Sequence, residues 1–465
     1  MITPVTSNFR KSLMSGGLWA VAGKFTTSFL TLAINAFLAR MLAAEEVGVY
    51  FLAFNIAMFG AYLGTFGFEQ TVVRFIAESI GRNELKNITY IIKIALTATT
   101  AGAICTGVIY FFSSNWIAFN VFSSIGLSSI KLVMFFWIIA NSFQVMLGET
   151  FRGFQDIRYA SIFGGILSTI IFVTSLVSIY FMDMTVTLSS IILLWVVSLT
   201  LSNSIGLAVL WKKVRVLKRG PNKNSNRTLS FKKMLETGMP LFAVSISTFI
   251  LSQCDLWIIG GVGGDEDLAI YGAAAKLTML LSMPLLILNS VVPPMIAEKH
   301  AQGEVKSIEA TLRIIATLAF MPTLSLLLVF IVFGKSLLSL VYGSPMFGSG
   351  AHVLIILGLK QLACVSIGAT SSVLAMGGKQ KELMRITLWT GLFSIILSLI
   401  LGSYLTGIGV AIGFLIPICI SQILLVLTAK KSMEISAYID VLGTIRFVKT
   451  FIHSKKSRMK MDYRY

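Results

Sequence analysis

The sequence predicts an all-α, polytopic membrane protein of about 12 transmembrane helices in two parallel six-helix repeats. Three observations predict it. Of the 465 residues, 56% are hydrophobic and only 12% charged, whereas soluble domains carry about 25% charge, and the mean hydropathy is +0.85. Apolar runs recur from end to end, many near the ~20 residues that cross a bilayer as helix. They are too long and too evenly apolar for barrel strands, which alternate over ~10 residues. Finally, the chain repeats itself. Glu45-Glu46-Val47-Gly48-Val49-Tyr50 reads against Glu266-Asp267-Leu268-Ala269-Ile270-Tyr271, and Ile76-Ala77-Glu78 against Ile296-Ala297-Glu298. Glu84 and Lys86 likewise match Glu304 and Lys306. An offset of roughly 220 residues marks a duplicated half. The polar matches fall outside the apolar runs, where composition alone does not produce them.

Hydrophobic periodicity places the spans near 14–36, 47–68, 88–112, 128–149, 160–181, 187–211, 234–259, 270–296, 309–333, 350–376, 384–405 and 408–429. The splits near Asp183 and near Gly402–Gly409 each separate two helices by a very short loop. Pro293 and Pro294 are expected at a helix end. Arg10 and Lys11 precede the first apolar stretch, which Lys24 interrupts and which is too long for a signal-peptide core. It reads as a first helix acting as its own uncleaved signal.

The bases fix the orientation. Of 38 Lys and Arg residues, 30 lie in the N-terminus, in the tail and in alternate loops around Arg74–Lys86, Arg152–Arg158, Lys212–Lys233, Lys299–Lys306 and Lys379–Arg385. The opposite loops hold only Arg40 and Lys335. The positive-inside rule then puts both termini in the cytoplasm. It also accounts for most of the net charge of +18, so nucleic acid is not an expected partner. The acidic run Asp265-Glu266-Asp267 falls outside and reads as a solvated loop.

The segment Lys212–Lys233 is basic and polar, with a linker composition, where one repeat ends and the next begins. The expected organisation is a six-helix half over 1–211, a basic cytoplasmic linker over 212–233, a second half over 234–430 and a basic tail over 431–465. Within the tail, about 436–452 has the spacing of an amphipathic helix on the inner leaflet; a solvated tail without fixed structure is the equal alternative.

Cys105, Cys254, Cys364 and Cys419 stand alone in apolar runs, and the three histidines are scattered. No metal pair is spaced among them. Walker, Rossmann, HExxH and GxSxG patterns are absent, and no cofactor is expected.

Ionisable groups inside spans are costly and functional by default. Lys24, Asp255, Lys276 and Lys360 lie clear of the expected helix ends. Lys24, Ser28, Thr31 and Asn35 share one face of the first span. Ser245, Thr248, Ser252 and Asp255 share one face of the seventh, and the offset lays Asn35 on Asp255. Asn55 aligns with Lys276; Asn141 and Gln144 line one face of the fourth span. These stripes read as the lining of an aqueous cavity, or in part as the hydroxyl packing common between membrane helices. Asp255 and Lys276 lie at similar depths, as an ion pair or as an ion-responsive switch. Three positive charges against one negative favour an anionic cargo.

Val47-Gly48-Val49-Tyr50 and its echo Leu268-Ala269-Ile270-Tyr271, Arg152-Gly153-Phe154-Gln155 after the fourth span, and Gly377-Gly378-Lys379-Gln380-Lys381 after the tenth carry a resemblance. With the twelve spans and the basic linker, they resemble the multidrug/oligosaccharidyl-lipid/polysaccharide (MOP) exporter superfamily, polysaccharide-synthesis branch, and look most like the O-antigen (Wzx-type) flippases. The resemblance covers about 10–430. It implies a V-shaped pair of helix bundles that flips a polyprenyl-pyrophosphate-linked oligosaccharide across the bacterial inner membrane by alternating access. The glycan would be an O-antigen unit of lipopolysaccharide or another surface polysaccharide. Lys24, Asn35, Asn55, Lys276 and Lys360 would line the substrate cavity, with Asp255 as ion-pair or ion-coupling candidate. A proton or sodium gradient is left open as the energy source. The lipid bilayer, a polysaccharide polymerase and chain-length proteins are the partners implied. Two alternatives stand beside it: a cation-coupled multidrug antiporter of the same fold, and an assembly platform for polysaccharide-synthesis enzymes.

Overall fold

The computed structural model describes residues 23, 25–82, 84–182, 184–217, 231–301, 305–368, 370–376 and 379–433. Lys24, most of the linker and the tail helix expected over 436–452 lie outside the described residues. Among those described, short connections join helices and there is no strand.

The helices are α1 (Phe25–Met41), α2 (Ala44–Thr65), α3 (Phe68–Gly81), α4 (Leu85–Trp116), α5 (Ile125–Ser129), α6 (Lys131–Gly153), α7 (Ile157–Ser161), α8 (Leu167–Phe181), α9 (Leu188–Leu217), α10 (Phe231–Val262), α11 (Asp265–Ala301), α12 (Val305–Tyr342), α13 (Ala351–Ser366), α14 (Thr370–Met376) and α15 (Gln380–Met433). Among the described residues, nine helical segments are long and apolar enough to cross a membrane, and a tenth is bent by 51° between Phe231–Ile250 and Ser252–Val262. One of the nine, within α15, runs through two expected spans and turns at Thr406 (φ 45°, ψ −127°). With the shorter α1, which covers the described part of the first expected span, each expected span overlaps a described helix. The predicted end at Pro293-Pro294 is corrected: α11 continues to Ala301. Proline is tolerated inside membrane helices where neighbours satisfy the freed carbonyls.

The chain packs as two units: Met1–Ala273 with Leu338–Gly350, and Ala274–Leu337 with Ala351–Tyr465. These are packing groups; the duplication read from the sequence is a separate property. α10, from the second repeat, packs on α2 and α3 within the first unit. The first unit buries Phe68, Ile76, Ile91, Met146, Leu147 and Phe151 in one cluster. Tyr50 stacks on Trp137 at 6.0 Å beside it. In the second unit Ile367, Leu374, Leu425 and Ala429 form a smaller core. Large apolar side chains remain on the outside, Phe112 at 80% and Phe181 at 78% exposure, as a lipid-facing surface requires because tails solvate them.

The loop after α6 is built by its sequence. Gln155 takes a left-handed conformation (φ 59°). Asp156 then caps α7, accepting from the Tyr159 N–H at 3.3 Å. The same carboxylate holds Lys213 of α9 at 2.6 Å, and the Lys213 ammonium lies 5.0 Å from the Phe154 ring centre. Asp156→Ala removes a cap worth ~1 kcal/mol and a half-exposed ion pair worth about 0–1 kcal/mol. The purified protein is expected to melt a few degrees lower; an unchanged melting temperature would contradict the capping role.

Candidate functional site

The polar positions expected along the first span begin at Lys24, outside the described residues. Farther along α1, Thr31 folds its hydroxyl back onto the Thr27 carbonyl at 2.7 Å, while Ser28 and Asn35 are buried. The Asn35 amide nitrogen meets no hydrogen-bond acceptor among the described residues. Asn55 on α2 is also buried, and its amide donates to the Phe51 carbonyl one turn back at 3.0 Å. Asn55 is thus satisfied by its own helix, as short polar side chains often are mid-helix.

Asp255 on α10 is buried, at 8% exposure. One carboxylate oxygen accepts the Leu256 N–H at 3.0 Å, the other the Tyr271 hydroxyl at 3.3 Å. Tyr271, the repeat partner of Tyr50, therefore ties the start of α11 to α10.

Lys276 and Lys360 belong to the second unit, and both are half-buried. The Lys360 ammonium on α13 sits 5.6 Å from the ring centre of Phe414 on α15, within cation–π range. One turn along, Cys364 accepts from the Gln422 amide at 3.6 Å. α13 and α15 thus bring a lysine, a thiol and an amide together within two turns of α13.

The duplicated motif itself forms a contact. Within the first unit, a Cβ on Gly48 would lie 2.0 Å from the Asp265 carbonyl oxygen, and one on Gly272 would lie 2.3 Å from the Phe51 ring. Gly48 within the first copy and Gly272 just after the second leave the backbones in contact, and no side chain fits at either place. Ser124 donates to the Asp265 carboxylate at 3.0 Å, and Arg40 donates to the Leu340 carbonyl at 2.7 Å. The reading of Asp265-Glu266-Asp267 as a solvated loop is corrected. These residues form the first turn of α11, where carboxylates favour the positive end of the helix dipole.

Of a second polar cluster, Ser245 was singled out from the sequence, but Glu69 and Glu149 were not. α2 ends and α3 begins across Phe66 (φ 49°) and Gly67 (φ 74°), both left-handed. A Cβ on Gly67 would lie 2.4 Å from the Gly238 carbonyl oxygen, so α10 crosses directly over the break. Glu69, in the first turn of α3, is 1% exposed and accepts from the Ser245 hydroxyl of α10 at 3.1 Å. Glu149 on α6, in electrostatic reach of Glu69, pairs with Arg152 at 2.7 Å. Discontinuous helices ringed by polar groups are where membrane transporters commonly place ions and substrates.

The family profile described as polysaccharide biosynthesis protein matches residues 13–300, and the MatE profile matches residues 240–400. No curated protein matches the chain. Among solved structures, an inward-facing multidrug resistance MATE family transporter of the MOP superfamily is similar at 16% identity and TM-score 0.69, covering 88% of this chain and 94% of that one. A mutant of the Vibrio cholerae MATE transporter VcmN is similar at 14% identity and TM-score 0.64, covering 93% and 98%. A MOP superfamily transporter from Pyrococcus furiosus, described by the reverse polarity of its binding pocket, is similar at 16% and 0.59, covering 91% and 96%. Likeness at such identities concerns the fold; the polysaccharide biosynthesis match spans more than half the chain. This multi-pass membrane transporter belongs to the polysaccharide biosynthesis protein family, the polysaccharide-synthesis branch of the MOP exporter superfamily.

Proposed function

We propose that the protein flips a polyprenyl-pyrophosphate-linked oligosaccharide from the inner to the outer leaflet of the bacterial cytoplasmic membrane, with both termini in the cytoplasm. The observation that carries this reading is the polysaccharide biosynthesis match over 13–300. The half-buried lysines Lys276 and Lys360 support it. A pyrophosphate or acidic sugar is an anion, and lysine meets it as a mobile point charge in a low-dielectric setting. Lys24 and the buried amides of Asn35 and Asn55 complete the proposed lining. O-antigen units or another surface polysaccharide are the glycans intended, with a polymerase and chain-length proteins acting downstream.

Deleting the protein is expected to remove the glycan from the cell surface while its repeat units accumulate on the polyprenyl carrier. Normal surface glycan in the deletion strain would contradict the reading.

The MatE match over 240–400 favours a second reading, a cation-coupled multidrug antiporter. It makes Asp255 the ion-coupling carboxylate. Gradient-dependent dye efflux that is lost in Asp255→Asn would establish this reading over the flippase. The flippase reading expects no such efflux.

A further inference from the structure

The first unit holds a neutral polar cluster inside its bundle, between α6, α8 and α9, that the cargo site just proposed does not use. Asn203 on α9 is 6% exposed and Asn141 on α6 is 3% exposed. The Asn203 amide nitrogen donates to the Ala140 carbonyl at 2.8 Å, which brings its side chain against the peptide that opens Asn141. A carbonyl only accepts, so this bond also fixes which way the Asn203 amide points. Its oxygen is left over, and that Oδ1 meets no donor among the described residues. The Asn141 Nδ2 meets no acceptor among them. The buried hydroxyl of Ser202, the preceding residue on α9, has no partner among them either.

Gln144 forms the edge of the cluster. It stands three residues after Asn141, on a neighbouring position of the same helix surface, and is half-buried. Its nitrogen donates to the Gly164 carbonyl at 3.3 Å, and its oxygen accepts from Ser168 at 3.0 Å. Those partners flank the junction of α7 and α8, where Gly165 takes φ 156°. A Cβ on Gly148 of α6 would lie 3.0 Å from the Gly164 Cα, so the two backbones touch one turn beyond Gln144.

Buried polar groups nearly always find partners, and an unmet one carries the cost of its lost hydration. Asn141 offers a donor, Asn203 an acceptor, and Ser202 a hydroxyl that does either. An ionised phosphate only accepts and an ammonium only donates, so neither answers both amides. An alcohol hydroxyl answers both. The contacts of the cluster run to amides, hydroxyls and peptide carbonyls, all uncharged.

We propose, on the glycan reading above, that this cluster is a binding site for an uncharged carbohydrate hydroxyl, in the sugar part of the lipid-linked oligosaccharide. It adds a neutral recognition element to a cargo otherwise read by charge. A trapped water carries the same donor-and-acceptor chemistry, and the two occupants differ in what a sugarless lipid does.

The test uses the full-length chain in lipid nanodiscs with two probes, the polyprenyl-pyrophosphate oligosaccharide extracted from the deletion strain and polyprenyl pyrophosphate without sugar. Binding of each is titrated by native mass spectrometry for the wild type, Asn141→Leu and Ser202→Ala. Both variants are expected to bind the sugar-bearing lipid about three- to tenfold more weakly, the range of one hydrogen bond between neutral groups. Both are expected to bind the sugarless lipid at the wild-type affinity. Asn141→Leu is expected to melt at or above the wild-type temperature, because it removes an unpartnered buried amide at similar volume. Should it not fold, Ser202→Ala carries the comparison. Wild-type affinity for the sugar-bearing lipid in the variants overturns the proposal and leaves a trapped water as the occupant. Equal weakening toward both lipids also overturns it, since the sugar is then not what is lost. Failure of either lipid to bind the wild type overturns the glycan reading itself, and this site with it, so the two failures are told apart.

Discussion

Lys360→Ala is expected to lower surface glycan by at least about tenfold at unchanged protein level. Lys360 stands on α13 with its ammonium held over the Phe414 ring of α15. Removing it takes a charged donor from an anionic cargo, and hydrogen bonds to charged groups are worth about 1.5–3 kcal/mol. That is roughly a 10- to 150-fold change in an equilibrium. Lys360→Arg keeps the charge and is expected to retain part of the export; Lys360→Met keeps the apolar stem and is expected to behave like alanine. The measurement is glycan at the cell surface set against membrane protein level by immunoblot. Normal glycan in Lys24→Ala and in Lys360→Ala would refute the lysine-lined cavity. The assembly-platform alternative predicts that outcome, and predicts loss of export when the charges of the basic linker are removed.

Gly48→Val is expected to be the most disruptive single change in the first unit. The added Cβ would fall 2.0 Å from a backbone carbonyl oxygen, which cannot rotate away as a side chain can. Helix α2 and the first turn of α11 must separate. Overpacking costs typically 1–3 kcal/mol, and the Ser124–Asp265 bond, worth about 1 kcal/mol, is strained or lost with it. The melting temperature should fall by several degrees. A cysteine placed at Leu268, which is fully buried, should gain maleimide reactivity in a background with the native cysteines replaced. Wild-type reactivity in Gly48→Val would show that the crossing is not the closed contact it resembles.

The spans were legible because burial in lipid leaves long apolar runs that need no knowledge of packing. The turn at Thr406 fell between two expected spans, where Gly402 and Gly409 flag a break. The duplicated motif was visible as a repeat, but not its consequence, since only three-dimensional packing brings Gly48 onto Asp265. The three acids of 265–267 carried a helix-start signal, acidic residues just before an apolar run, which was outweighed by their charge. Glu69 was missed for a different reason. It follows directly on the expected second span, where a charge looks solvated. Its enclosure comes from Ser245, 176 residues later in the chain. The nearest local signal was Gly67, a helix breaker beside a carboxylate.

The central claim is that this transporter moves a lipid-linked anionic glycan. It is tested most directly by reconstituting the purified full-length chain in vesicles that hold a polyprenyl-pyrophosphate oligosaccharide, and following how much becomes accessible to an enzyme added outside. The account predicts that accessibility rises well beyond the outer-leaflet share with the wild-type chain and stays at that share with Lys360→Ala. Equal accessibility in vesicles with and without the protein would contradict it.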